Sequence, residues 1–291
     1  MTQGINDWSN ISAIAQAVQE DAIFVIREAQ LMPTLVQEFS DMSGMNPRKG
    51  YQYNKGTAKS ITDSDDLTSD AFTPALDQTL TPHEIGLQFF ITDARAESEA
   101  PESILTDASR ELGFAANDRV ESDLIANLGD LTGGTVGAAG TAITWGYLGA
   151  AIAIARGVNK SASKPVSAVI HGYQAAVLAK TASVAGAQVV NAPNFQDKMT
   201  TSGGANVLFA VYQGVKVYQV FAEPDNQGDF TGGVFPREAI AIDWRRAIRV
   251  RPQRDESRRG LELNMSGIYA NGVWRPNRGV KMTFDASLPV S

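Results

Sequence analysis

Cysteine is absent from this chain of 291 residues, so it offers no disulfide framework, thiolate nucleophile or cysteine-ligated metal. Histidine is scarce: His83 and His171 are the whole complement. A histidine metal site or a Ser-His-Asp triad needs one of them beside suitable partners, and no spacing supports either. Long apolar runs are missing too. The longest, Trp145 to Val158, is broken by glycines and Arg156 and is too short to cross a bilayer. Met1 to Asn10 lack the basic segment and apolar core of a secretory signal. The expectation is a soluble chain made and used in a cytoplasm, without a membrane partner.

The most telling scarcity lies between Asn54 and Glu84. The large apolar residues there are only Ile61, Leu67, Phe72, Leu76 and Leu80, among Thr, Ser, Asp, Gly, Lys and Pro. Such stretches are uncommon in compact domains and are usually functional or disordered. Two strand-like runs flank it. Gly50 to Lys59 puts Tyr51 and Tyr53 on one side, and His83 to Asp93 alternates Ile85, Leu87, Phe89 and Ile91 on one face. Joined by the polar excursion, these runs predict a long hairpin arm. A lone hairpin is marginal in water, so the arm is expected to lie on a neighbouring copy of the chain.

What is present suffices for a substantial core. Hydrophobic residues make up 43% and charged residues 20% of the chain, ordinary values for a globular protein. A chain of this length buries roughly 75% of its unfolded surface, as one large domain or two modest ones. Net charge is −7, unevenly distributed. From Ile61 to Asp130 there are 16 acids against Arg95, Arg110 and Arg119; from Arg237 to Lys281 there are 11 bases against 5 acids. Segregated charge suggests complementary surfaces within one molecule or between copies. The overall acidity argues against a general nucleic-acid binder.

Periodicity supplies the elements. Ser9 to Gln30 has the spacing of a helix with one apolar stripe, from Ile11 to Ala29. Pro101 opens a second, longer helix reaching Leu128, with Leu112, Ala116, Val120 and Leu124 in its stripe and an acidic opposite side. It should run roughly 40 Å. Gly129 to Gly140 reads as a glycine connector. From Ala142 to Trp244 helix and strand alternate, with a Gln213-Gly214 turn between two strands. Alternating strands follow around 261–265 and 280–284, separated by a Pro276-Asn277-Arg278-Gly279 turn. Those closing strands are expected to pair against the long helix and the arm base. No internal repeat or low-complexity segment is visible.

This order of elements resembles the major capsid proteins of tailed bacteriophages, the Hong Kong 97-type fold. The resemblance covers nearly the whole chain. The run ITDARAESEAPESILTDASRELGFAANDRVESDLIANL resembles the passage from extended loop into spine helix, and SGIYANGVWRPNRGVKMTFDA resembles the last strands. It implies an α+β fold with an N-terminal arm (1–44), an extended β-hairpin loop (45–93) and a peripheral domain (94–141 and 243–291) carrying the spine helix (101–128). An α/β axial domain (142–242) is inserted. It further implies a non-enzymatic shell subunit forming hexamers and pentamers around double-stranded DNA, located in the virion capsid and assembled in a host cytoplasm. Partners would be a portal, a decoration protein and, since the first helix starts near Met1, a separate scaffolding protein. The founding member cross-links Lys to Asn between subunits. Lys55 and Lys59 lie in the arm and Asn271 and Asn277 near the end, but no motif fixes a pairing.

Other chemistry finds little support. The glycine stretch lacks the GxxxxGK[ST] lysine and follows a helix where a phosphate loop follows a strand. Asp63, Asp65 and Asp66 resemble the start of a calcium loop, but Thr68 replaces the glycine and Pro74 the closing glutamate. Glu97 and Glu99 form a chance pair in an acidic region. No cofactor or metal is expected. The liveliest signal is Arg245, Arg246, Arg249, Arg251, Arg254, Arg258 and Arg259. These read as a phosphate-binding row, as a solvated strand face, or, fitting the architecture best, as intersubunit contacts. In that last reading they meet the acidic arm and spine of a neighbour, with Lys55, Lys59, Asp63, Asp65, Asp66 and Asp70 on the arm. The alternatives kept open are an encapsulin-type compartment shell, a soluble α/β enzyme centred on 142–244, and a small-molecule binding module.

Overall fold

The computed structural model describes residues 31–53, 58, 60–61, 69, 71–98, 101–157, 165–184, 207–220 and 228–288. The helix expected over Ser9 to Gln30 lies outside them, as do Lys55, Lys59, Asp63, Asp65, Asp66, Asp70 and Glu99. A single helical turn, α1 (Met32–Leu35), precedes a short strand, β1 (Gln37–Phe39). Then come β2 (Arg48–Tyr53), β3 (Pro74–Leu80) and β4 (His83–Thr92). Next are α2 (Asp93–Ser98), the long α3 (Pro101–Ala126) and β5 (Thr135–Gly137). α4 (Trp145–Gly157), β6 (Val166–His171) and α5 (Gly172–Val184) follow. The chain continues with β7 (Val207–Tyr212), β8 (Val215–Val220) and β9 (Asp229–Pro236). It closes with β10 (Ile240–Asp255), β11 (Gly260–Val273) and β12 (Val280–Asp285).

The spine helix α3 forms where the apolar stripe placed it. Leu112, Ala116, Val120 and Leu124 recur every four residues, Leu128 follows in the 3-10 turn after the helix, and all are fully buried. Beneath them runs a four-stranded sheet in the order β1-β10-β11-β4. Ile248, Val250, Leu263, Met265 and Ile91 supply its side of the contact. Each such aliphatic side chain, fully buried, contributes about 1.5–3 kcal/mol. A second sheet has six strands in the order β5-β12-β9-β6-β8-β7. Helices α4 and α5 pack on it through Leu148, Ile152, Ala175 and Leu178, against Ala168, Ile170, Val217 and Phe284. The β7–β8 turn has positive φ at Gln213 (49°) and Gly214 (75°), as a tight two-residue hairpin requires.

Four expectations are corrected. The arm hairpin pairs β2 with β3, from Arg48 opposite Leu80 to Tyr53 opposite Pro74. The alternating run His83–Thr92 is no part of it; as β4 it pairs antiparallel with β11. Its Ile85, Leu87 and Phe89 pack toward the core under the spine helix, burial that a two-stranded arm does not offer. The glycine connector holds a strand, since β5 pairs in parallel with β12. Gly137 has φ +86°, and a Cβ there would meet the Phe284 ring at 2.4 Å. Finally, the strand read over Ala239 to Ile242 is the start of β10, which runs on to Asp255. β12 joins the six-stranded sheet between β5 and β9; it does not pair against the spine helix or the arm base.

Candidate assembly surface

The arm is anchored at one end and bare at the other. At its root Leu80 is buried against Ala241 and Ala270, with Phe39 and Trp274 alongside. Gly50 sits on Trp274 so closely that a Cβ would lie 2.9 Å from the indole. Two arginines tie the root to the body. Arg275 donates to Asp77 Oδ2 at 2.9 Å and to the Tyr51 carbonyl at 3.2 Å. Arg48 donates from Nε to Asp243 Oδ2 at 2.7 Å, pairs with Asp41, and lies 4.4 Å over the Phe39 ring. The Arg48 hydrogen bond holds the exposed Asp41 carboxyl below the usual range.

Beyond the root both faces are open. Tyr51, Tyr53, Leu76 and Phe72 are 51%, 54%, 54% and 72% exposed. Tyr53 and Phe72 stack on each other with centroids 4.6 Å apart and planes 7° from parallel. Four large apolar side chains on an unsupported two-stranded ribbon form the kind of patch that marks an interaction surface.

The spine helix is fastened near the same root. Asp123 accepts from Tyr269 Oη at 2.6 Å and pairs with Arg119 at 3.1 Å. His83 Nε2 stands 3.4 Å from it, and its backbone carbonyl accepts from Asn271 Nδ2 at 3.0 Å. Burial first, and the Asp123 carboxylate second, push the Tyr269 hydroxyl well above its ordinary value. Helix, β4 and β11 thus meet at one carboxylate. The other histidine, His171, is buried in the six-stranded sheet, where Nδ1 accepts the Tyr173 N–H at 3.1 Å.

The arginine row divides by position along β10. The register shift between Trp244 and Arg246 is a bulge, which re-aims a side chain. Arg245 is turned inward, fully buried, and shares Asp243 Oδ2 with Arg48 at 2.8 Å. Arg246 pairs with Glu84. Arg254 takes both oxygens of Asp93, at 3.1 and 2.9 Å, and Glu256 at 2.7 Å. Those bonds, Asp93 first, raise the Arg254 guanidinium above its ordinary value. Arg258 reaches Glu262 at 3.5 Å and lies 4.3 Å over the Phe90 ring. Arg249, Arg251 and Arg259 have no ion-pair partner among the described residues. Desolvation, then the charges of Arg246 and Arg251, lower Arg249 below its usual value. The expected row is therefore partly internal, with Arg251 and Arg259 exposed and Arg249 half-buried, its Nε enclosed without a hydrogen-bond partner among the described residues.

Sequence reasoning missed Arg48, Asp77, Asp243 and Arg275 at the arm root, and Asp123 on the spine. Gly50 and the pairing of Trp274 with Arg275 were the available signals. A half-buried carboxylate on an acidic helix has no signature in sequence.

No family model and no curated protein matches the sequence. Solved structures do match. The capsid structure of the cyanophage P-SCSP1u aligns over 89% of this chain and 89% of its own, at 15% identity and a TM-score of 0.62. The chain has the phage capsid fold. The acidic stable capsid structure of the Helicobacter pylori bacteriophage KHP30 aligns over 87% and 88%, at 13% identity and a TM-score of 0.64. A virus-like particle from Pyrococcus furiosus aligns over 92% and 98%, at 10% identity and a TM-score of 0.58.

Proposed function

We propose that this chain is the major capsid protein of a tailed bacteriophage, assembling as hexamers and pentamers into an icosahedral shell around double-stranded DNA. Its role is geometric and non-enzymatic. The observation that carries the reading is the arm: fixed at its root by Arg48, Asp243, Arg275 and Asp77, yet leaving Tyr51, Tyr53, Phe72 and Leu76 more than half exposed, with Tyr53 and Phe72 stacked only on each other among the described residues. A surface held rigidly and left uncovered is pre-organised for a second copy. In this reading Arg249, Arg251 and Arg259 meet the acidic arm residues Asp63, Asp65, Asp66 and Asp70 of a neighbour. Each exposed pair contributes about 0–1 kcal/mol, weak enough for misplaced subunits to leave. A separate scaffolding protein, a portal and a decoration protein complete the proposed partners. The peripheral and axial division drawn at residue 242 is part of this proposal; β12, assigned there to the peripheral domain, pairs with β9.

The test is deletion of residues 54–73, closing Tyr53 to Pro74, cross-strand partners in the hairpin, with a short turn. Wild type should form large particles by negative-stain microscopy, with scaffold supplied if required. The deletion should remain folded, by circular dichroism and melting temperature, and should form none. A deletion variant that still closes shells would overturn the role of the arm. An encapsulin-type compartment is the second reading, a shell without phage DNA; the matched structures include a virus-like particle from Pyrococcus furiosus. Particles that capture a co-expressed cargo enzyme and no DNA would select it.

A further inference from the structure

The arm leaves the body as a ribbon held at two stations, and the outer one coincides with a break in the ladder. At the inner station Arg48 on β2 faces Leu80 on β3. Leu80 is buried there and Arg48 donates to Asp243. The outer station lies two to three residues further along, about 7–10 Å at the rise of a strand. Gly50 faces Gln78 but Tyr51 faces Leu76, so Asp77 is an extra residue on β3. Such a bulge bends a ribbon and raises its local twist.

Both strands of the bulge rest on one dipeptide of the body, immediately after β11. Arg275 donates through Nη1 to Asp77 on β3 and through Nη2 to the Tyr51 carbonyl on β2, at 2.9 and 3.2 Å. Gly50 lies against the Trp274 ring, where a Cβ would stand 2.9 Å from Cη2 and 3.0 Å from Cζ3. The φ of Gly50 is not positive, so glycine supplies room at this point and not an unusual backbone. The dipeptide is itself fixed. The Trp274 and Arg275 N–H groups both donate to the Ala239 carbonyl, at 2.7 and 3.0 Å. Phe39 stands edge-on to the indole with centroids 5.3 Å apart, and Arg48 covers the Phe39 ring. One chain of contacts, Arg48 to Phe39 to Trp274 to Gly50, thus joins the two stations.

We propose that Trp274 and Arg275 are positioning residues that fix the direction of the arm, and with it the angle at which a neighbouring copy is engaged. The first part concerns the single subunit; the second rests on the reading of the chain as a shell protein. A ribbon pinned at one station can swing, whereas one pinned at two cannot. Trp274 and Arg275 are only half-buried. Beyond their seat Tyr51, Tyr53 and Leu76 are exposed, so a tilt at the root passes undamped to the contact surface. A methyl added at Gly50 forces the ring or the ribbon to yield by about 0.5–1 Å to reach an ordinary carbon contact. Head-to-tail contacts close only when the rotation per subunit is right, and otherwise run on as open assemblies.

The chain has no cysteine, so Ala75→Cys on the arm and Ser122→Cys on the spine helix, both at exposed positions, accept spin labels at those sites alone. The distance between the labels, in full chains diluted with unlabelled ones, should give a single narrow peak. Adding Trp274→Ala or Arg275→Ala should lose that peak to a broad spread, with circular dichroism unchanged. A broad wild-type spread, or a narrow unshifted peak in either folded variant, overturns the seat. For the angle, Gly50→Ala should lose closed particles of the wild-type diameter, giving open sheets or shells of another size by negative-stain microscopy. Gly50→Ala with Trp274→Phe, whose smaller ring leaves space for the methyl, should restore them. Wild-type particles from Gly50→Ala, or no rescue by the second substitution, overturn the link between seat and angle. Wild type that forms no particles overturns that link and the shell reading together, and the distances alone then judge the seat.

Discussion

Two antiparallel ribbons in this molecule meet opposite fates. β10 and β11 span 16 and 14 residues, with β4 along one edge and the spine helix across one face. β2 and β3 span 6 and 7 residues and pair with no third strand among the described residues. The long ribbon alternates buried and half-buried positions, whereas the short one is exposed on both faces beyond Gly50. The difference is one of cover. A two-stranded ribbon has too little apolar surface of its own to be stable alone, so the body supplies cover to one ribbon and an anchor to the other. The arm survives as a rigid projection because ion pairs and Trp274 hold its root.

That contrast can be broken from either side. The largest stability change should come at the arm root. Asp243→Ala leaves Arg245 buried without its partner and frees Arg48, and removing one member of a buried pair costs about 3–5 kcal/mol. Urea unfolding should show that loss; a loss near zero would mean the arm root is not anchored there. Beneath the long ribbon, Leu124→Ala empties a fully buried site and should cost about 2–5 kcal/mol by the same measurement. The smallest effect belongs to the part of the long ribbon that behaves like the arm. Arg251→Ala with Arg259→Ala, both exposed, should change stability by less than about 0.5 kcal/mol. The same pair of substitutions should slow particle growth and flatten its salt dependence, read by light scattering. If stability falls sharply instead, those arginines serve the subunit and not its neighbours.

Most elements were legible as local pattern. The stripe from Leu112 to Leu128 announced the spine helix, and the Gln213-Gly214 pair announced its turn. The partner of each strand was not. His83 to Thr92 reads as a strand from its alternation alone, but nothing in that alternation says which strand lies beside it. The nearer candidate in sequence was Gly50 to Lys59; the one that buries Leu87 and Phe89 is β11, nearly two hundred residues away. The arginine row shows the same limit. Register shifts between Trp244 and Arg246 and between Arg246 and Arg249 leave Arg245 buried and Arg251 exposed, and sequence spacing is blind to such shifts.

The sequence alone determined the spine helix and most of the later strands, the lack of cysteine and the sparing use of histidine, because these follow from composition and from periods of two and 3.6 residues. It also set the polar character of the arm. Only the tertiary structure decided which ribbon was covered, which arginines were already paired, and that Trp274 and Arg275 meet the root of the arm. Those outcomes depend on groups distant along the chain competing for the same buried surface and the same carboxylates, a competition settled only when the whole molecule packs.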